Sequence, residues 1–311
     1  MLWDLATNQE YSFCHGKIGR VRCAAFSPDS KILATANLTG AVALYDLVSN
    51  ELCTLYDPHN TTAGATCLAF APDGTTLAVG QKDGQITLWD VATGQGQQAL
   101  SGHTDFIAAL AFSTDGRTLA SSSGDRSVRL WDQPARREQF VFSSQTNTVT
   151  ALVFSTNGQY LVMGDKASSV IRLLEITTEC EHMVQQVVTG NLVAVAISPD
   201  SATLVAADFH GLVTSWNLAT RKINAMRLRH AGVYSLAFAP DGHTLVTGGF
   251  DGTIHLWDWR RFAMTDASRP TATSTTLGNI SSRVPSAATQ AGTSGANRPA
   301  ASVQAAVSRG S

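Results

Sequence analysis

The sequence predicts an all-β protein made of one structural unit repeated along the chain. Seven times, a short apolar run ends in an aromatic residue or Leu followed by an acid or Asn: Trp3-Asp4, Tyr45-Asp46, Trp89-Asp90, Trp131-Asp132, Leu174-Glu175, Trp216-Asn217 and Trp257-Asp258. Successive ends are 42, 44, 42, 43, 42 and 41 residues apart, and a fixed period of this length indicates a repeat architecture. Between these ends, apolar runs alternate with tight turns and show no helical period, which favours antiparallel strands joined by hairpins.

The repeat at residues 102–142 shows the elements in order. Its apolar runs predict strands at 106–112, 118–122, 127–131 and 139–142. In the turn after the first strand of a repeat, Pro presets φ, Asp or Asn caps its own backbone and Gly accepts the last corner. Variants of this turn occur six times: Ser27-Pro28-Asp29-Ser30, Ala71-Pro72-Asp73-Gly74, Ser113-Thr114-Asp115-Gly116, Ser155-Thr156-Asn157-Gly158, Ser198-Pro199-Asp200-Ser201 and Ala239-Pro240-Asp241-Gly242. We therefore expect each repeat to form a four-stranded sheet. Because such a sheet is apolar on both faces, neighbouring sheets must cover it.

The repeats resemble the WD-repeat β-propeller family in their Gly-His start, Pro-Asp-Gly turn, Asp-Gly turn and Leu-Trp-Asp end. The resemblance covers residues 1 to about 262 and implies blades stacked radially around an axis. It also implies a hydrogen-bonded tetrad within a blade, complete at two sets of positions: His103, Ser121, Asp125 and Trp131, and His230, Thr247, Asp251 and Trp257. Other repeats depart from the tetrad pattern at Thr39, Val79, Ser168 and His210. We expect those blades to depend more on hydrophobic packing.

The ends of the repeat region leave two arrangements open. The chain contains six complete units, and a further third strand at 1–5 has no first or second strand before it. Pairing of the outer strand at 11–14 with 254–259 would close a six-bladed ring. Pairing with 1–5 costs less loop-closure entropy. We therefore expect six complete blades plus a partial seventh at the N-terminus, left by a misplaced start codon or by gene truncation.

Composition divides the chain into a repeat domain at 1–262 and a tail at 263–311. From residue 267 onward the tail has no aromatic residue, no acid and no Lys. Such a segment buries too little apolar surface to offset its ordering entropy, so the sequence predicts a disordered tail.

Overall composition narrows the class of protein. The 311 residues are 44% hydrophobic and 15% charged, and no apolar stretch approaches the roughly 20 residues of a membrane span. The formal net charge of -2 is too balanced to favour nucleic-acid binding. The five cysteines form no C-x-x-C pair, and the start of the chain does not resemble a secretory signal, so we expect the cytoplasm. No zinc motif is present, and a dinucleotide-like run at 94–99 lies between two predicted strands, so no metal or cofactor is expected.

The predicted function is a non-catalytic scaffold that presents a propeller face to a protein or peptide partner, with no small-molecule substrate. Partners of the resembling family usually dock on the face that carries the loops before the first strand and between the second and third. Interface candidates at those loops are Arg20, Arg22, Lys82, Phe106, Phe209, Tyr234 and Phe250, because aromatic and Arg side chains are enriched at interface hot spots.

Three other interpretations stay open. Phe209 and Phe250 would be satellites of the core if they packed over the blade edge. A hydrolase or lyase with a site at the central channel would need inward carboxylates or histidines. A reader of modified peptide tails would need an aromatic cage with an acid, for which Phe209, Tyr234 and Phe250 supply only the rings.

Overall fold

The computed structural model shows six four-stranded antiparallel sheets and one two-stranded sheet. It describes residues 2–4, 9–11, 21–37, 39–49, 51–56, 64–143, 147–165, 167, 170–178, 180–184, 191–220, 222–228, 232–260 and 274–279. Within this part of the chain, no helix is long and apolar enough to cross a membrane.

The two-stranded sheet and the six sheets, here called blades 1 to 6, follow one another along the chain. The hairpin consists of β1 (Leu2–Asp4) and β2 (Gln9–Tyr11). Blade 1 contains β3 (Val21–Phe26), β4 (Ile32–Asn37), β5 (Val42–Asp46) and β6 (Leu52–Tyr56), and blade 2 contains β7 (Ala65–Phe70), β8 (Thr76–Gln81), β9 (Ile86–Asp90) and β10 (Gly96–Leu100). Blade 3 contains β11 (Ile107–Phe112), β12 (Thr118–Ser123), β13 (Ser127–Asp132) and β14 (Arg137–Ser143), and blade 4 contains β15 (Val149–Phe154), β16 (Tyr160–Asp165), β17 (Val170–Glu175) and β18 (Cys180–Val184). Blade 5 contains β19 (Leu192–Ile197), β20 (Thr203–Asp208), β21 (Leu212–Asn217) and β22 (Ile223–Arg227), and blade 6 contains β23 (Val233–Phe238), β24 (Thr244–Gly249), β25 (Thr253–Asp258) and β26 (Ser274–Asn279).

The repeated turn forms the hairpin between the first two strands of each blade. In blade 3, Ser113 Oγ donates to Asp115 Oδ1 at 2.6 Å, and the same carboxylate oxygen accepts from the backbone N–H of Arg117 at 3.0 Å. Gly116 follows in the left-handed region, with φ of 71°, which glycine adopts without steric cost. The local sequence therefore specifies the hairpin by itself.

The blades stack around a central channel lined by the first strand of each blade. From β3 to β23, each of these inner strands packs against the next inner strand along the chain. Apolar clusters fill the spaces between neighbouring blades. For example, Val128 and Leu130 of blade 3 pack with Leu161 and Leu174 of blade 4. Packing against neighbouring blades thus buries the apolar faces that a single blade would expose to water.

The two ends of the repeat region differ in how far they match the predictions. Leu2 pairs with Tyr11 and Asp4 with Gln9, so the local hairpin forms and the predicted fold of six complete blades with a partial seventh is confirmed. The fourth strand of blade 6 is β26, which pairs with β25. This strand lies inside the tail that composition predicts to be disordered. Backbone hydrogen bonds to the open edge of β25 stabilise β26, and composition does not reveal such pairing.

One side of blade 6 is covered less than the corresponding side of the other blades. Val128 and Leu130 in blade 3 are 1% and 7% exposed, whereas Ile254 and Leu256 at the same positions of blade 6 are only partly buried. In agreement, β23 and β3 do not pack closely against each other. The six blades therefore do not close into a tight ring through these two strands.

Candidate functional site

The inner strands all run in the same direction, so the propeller has two distinct faces. The face at the start of the inner strands carries the loops before the first strand and between the second and third strands, and is called the entry face here. Backbone hydrogen bonds join these loops in pairs, such as Phe209 N–H to Asn191 O at 2.9 Å and Phe250 N–H to Gly232 O at 3.1 Å. The opposite face carries the repeated Pro-Asp-Gly type turns and is called the turn face.

Three of the predicted interface residues form one aromatic cluster on the entry face. The Tyr234 and Phe250 rings are stacked with centroids 4.9 Å apart, and the Phe209 ring meets Phe250 edge-on at 5.3 Å. Phe209 is 41% exposed and Phe250 is 53% exposed, while Tyr234 lines the channel mouth. The cluster spans blades 5 and 6 and presents a large apolar surface to solvent.

Gly232 supports the aromatic cluster, although its role is not evident from the sequence. It has a φ of 63°, and a β-carbon there would lie 2.7 Å from the Phe209 carbonyl oxygen and 3.4 Å from Phe250 Cβ. Only glycine accepts both the backbone conformation and this close approach without strain. His210 also contacts the cluster, with its ring 5.8 Å from that of Phe209. The sequence indicates this role only through the position of the glycine, directly before an inner strand.

The other candidates are dispersed. Phe106 lies on the entry face in blade 3 and is 38% exposed, and Lys82 is exposed in blade 2, where its N–H donates to Gly64 O at 3.1 Å. Arg22 is half-buried on β3, which does not pack closely against β23, the strand that carries Tyr234. Arg20 lies outside the described residues.

The predicted tetrad of blade 3 is present. His103 Nδ1 lies 2.9 Å from Asp125 Oδ2, His103 Nε2 lies 2.8 Å from Ser121 Oγ, and Trp131 Nε1 donates to Ser121 Oγ at 2.8 Å. Burial lowers the pKa of His103, against the opposing effect of the Asp125 carboxylate. Burial also opposes ionisation of Asp125, but hydrogen bonds from Ser127, His103 and Thr104 together lower its pKa to about 2. The tetrad is therefore a structural network of a neutral imidazole and a carboxylate.

The equivalent positions in other blades vary. In blade 6, Trp257 Nε1 donates to Thr247 Oγ1 at 2.9 Å and Asp251 accepts from Thr253, whereas His230 lies outside the described residues. In blade 5, Ala206 occupies the hydroxyl position, and the buried Trp216 Nε1 has no hydrogen-bond partner within the described part of the chain.

The central channel has an apolar lining. A cavity of about 100 Å³ in the channel is bounded by strand residues such as Cys23, Cys67, Leu110 and Leu152. Desolvation by burial raises the pKa of both the Cys23 and the Cys67 thiol to about 12, so neither is an activated nucleophile. Among the described residues that line the channel, none is a carboxylate or histidine, and no cluster in the described part of the chain has the ligands for a metal ion.

Comparisons with known proteins agree with this architecture. Residues 64–282 match the family model described as the IFT122 first beta-propeller, and residues 8–46 match the model for the WD domain, G-beta repeat. Because the first match spans more than half of the chain, the chain belongs to this family of WD-repeat β-propellers. No curated protein matches it.

Two solved structures share the fold. "Structure of U3-55K" has a TM-score of 0.70 at 20% sequence identity and covers 78% of this chain and 79% of that one. "Crystal structure of RRP9 WD40 repeats" has a TM-score of 0.70 at 20% identity and covers 78% of each chain.

Proposed function

We propose that the protein is a non-catalytic interaction scaffold that binds a protein or peptide partner through the aromatic cluster of the entry face. The observation that carries this proposal is the exposure of Phe209 and Phe250 beside Tyr234 at the channel mouth. Aromatic side chains contribute much of the binding energy at protein interfaces, because they bury large areas with few torsions. The cytoplasm remains our proposal for the compartment.

The ring geometry favours an apolar anchor over a cage for a modified lysine. A cage holds a cation between rings that stand apart, whereas Tyr234 and Phe250 stack directly on each other with an interplanar angle of 21°. The channel enzyme is likewise not favoured, since the described residues lining the channel supply no acid or base.

The proposal is tested with the triple variant Phe209→Ala, Tyr234→Ala, Phe250→Ala. Partner capture from the source cell, quantified by mass spectrometry and then by titration of the captured protein, should weaken by at least about 2 kcal/mol, the usual effect of removing an aromatic hot spot. The control is Val141→Ala with Ile223→Ala. These residues are also exposed apolar side chains, at 38% and 49%, but they lie on the outer strands β14 and β22.

Thermal melts of both variants separate binding from folding. We expect the triple variant to melt within a few degrees of wild type, because the hydrogen bonds of Trp131 and Trp257 remain intact. Unchanged capture would refute the proposed site. A melt lowered by many degrees would show instead that the three rings belong to the core.

A further inference from the structure

The turn face carries a second cavity, distinct from the aromatic cluster. A funnel of about 510 Å³ opens there, and its lining includes the last residue of each inner strand: Phe26, Phe70, Phe112, Phe154, Ile197 and Phe238. Tyr234 and Phe238 lie at opposite ends of β23, about 13 Å apart at the usual rise of a strand, so the funnel and the aromatic cluster open on opposite faces.

The repeated turns form the rim of this funnel. Pro72 lines the funnel, and a β-carbon on Gly116 of the next blade would lie 3.5 Å from its ring. The same arrangement joins Pro199 to Gly242, and Thr156 Oγ1 donates to Pro199 O at 2.6 Å. Neighbouring turns therefore contact each other and hold the mouth of the funnel in shape.

The rim is acidic. Five of the six turns carry an aspartate three residues after the last residue of the inner strand: Asp29, Asp73, Asp115, Asp200 and Asp241. Hydrogen bonds from serine hydroxyls hold the pKa of Asp29, Asp115 and Asp200 below its ordinary value, so these groups are ionised at neutral pH. The cations of the same turns are Lys31, which lies 3.7 Å from Asp29, and Arg117.

Further acids lie at the outer turns of the same face. The turns between the third and fourth strands lie on the same face, because Leu47 N–H donates to Lys31 O at 2.7 Å and Gln133 N–H donates to Arg117 O at 2.8 Å. Acids at these outer turns are Asp46, Glu51, Asp90, Asp132, Glu175 and Asp258, and the described cations there are Arg136, Arg137, Lys222 and Arg260. Carboxylates outnumber cations on the described part of the turn face.

We propose that the turn face binds a basic peptide segment that inserts an apolar side chain into the funnel. The phenylalanine walls match an aliphatic or aromatic anchor, whose burial stabilises the complex. The acidic rim matches flanking lysines or arginines and repels nucleic acid and anionic lipid. This surface is separate from the one in the proposed function, so one partner on each face is compatible with a scaffold.

The turn of blade 4 shows which substitution removes the charge and keeps the hairpin. Asn157 takes the place of the aspartate in blade 4 and makes the same turn bonds, since Ser155 Oγ lies 2.6 Å from Asn157 Oδ1 and Gln159 N–H donates to that oxygen at 3.0 Å. Replacement of Asp73, Asp115 and Asp200 by Asn should therefore remove charge and preserve the hairpins. The matched control is Asp83→Asn with Asp105→Asn, two exposed acids in entry-face loops.

The probe is a short synthetic peptide in which lysines flank a central leucine, and fluorescence anisotropy measures its binding to the full chain. The triple Asn variant should bind about tenfold more weakly, because each exposed ion pair contributes a modest free energy, and the control variant should bind like wild type. Exchange of the leucine for glycine should weaken binding by about tenfold or more. A peptide with glutamates in place of lysines should not bind.

A photoreactive leucine analogue in the same peptide locates the anchor. Crosslinks to the funnel phenylalanines support the proposal, and binding should persist in the Phe209, Tyr234 and Phe250 triple variant. Crosslinks to the entry face would overturn the proposal. So would equal binding of the peptide by the triple Asn variant, equal binding of the acidic peptide, or no binding of the basic peptide.

Discussion

The tetrad of blade 3 provides the sharpest test of how this fold is stabilised, through the substitution Ser121→Ala. The Ser121 side chain is fully buried, accepts from Trp131 Nε1 at 2.8 Å and lies 2.8 Å from His103 Nε2. Removal of the hydroxyl leaves two buried polar atoms without this partner. Each such atom costs about 1–3 kcal/mol, so we expect the free energy of unfolding to fall by about 2–5 kcal/mol.

Differential scanning calorimetry of wild type and variant measures this effect. For a domain of this size, 1 kcal/mol corresponds to about 2–4 °C in melting temperature, so the melt should fall by roughly 5–15 °C. The variant should still fold, because blade 5 forms with Ala206 at the same position. A change of less than about 2 °C, with two-state unfolding preserved, would refute the inference that the tetrad stabilises its blade.

Three further predictions concern the aromatic cluster, the packing between blades and the pH dependence of stability. Gly232→Ala should lower the free energy of unfolding by about 1–3 kcal/mol and weaken partner capture by the aromatic cluster. Thermal melts measure the first effect and titration of the captured partner the second. Unchanged stability and unchanged capture would contradict the strain argument. In urea unfolding, Leu130→Ala should lower the free energy of unfolding by about 2–5 kcal/mol. Leu256→Ala should lower it by less than half as much, since Leu256 is only partly buried. Equal effects of the two substitutions would mean that these two positions of blades 3 and 6 are equally covered. Stability should fall as pH drops below 6.5, the ordinary pKa of His103, because the lowered pKa keeps the folded imidazole neutral while the unfolded one binds a proton. His103→Gln should flatten that part of the pH profile of melting temperature, and an unchanged profile would assign the dependence to other groups.

Features that depend on local chemistry could be predicted from the sequence alone. Its period set the number of blades, and the turn residues set each hairpin, because Asp115 and Gly116 act through bonds to neighbours two or three positions away. The blade 3 tetrad was implied instead by the resemblance to the WD-repeat family, because members such as His103 and Asp125 are 22 residues apart and no local turn chemistry joins them. The pairing of the hairpin at Leu2–Asp4 and Gln9–Tyr11 also followed from short loop closure.

Contacts between distant parts of the chain became evident from the three-dimensional structure. Composition gave no sign that Ser274–Asn279 would add a strand to blade 6, because edge pairing is a backbone interaction that side-chain types hardly specify. The sequence placed Phe209, Tyr234 and Phe250 in adjacent repeats, but their stacking depends on the close approach of loops at Gly232. The funnel arises in the same way: each repeat contributes one phenylalanine or isoleucine and one turn, and a cavity with an acidic rim exists only once the blades stand side by side.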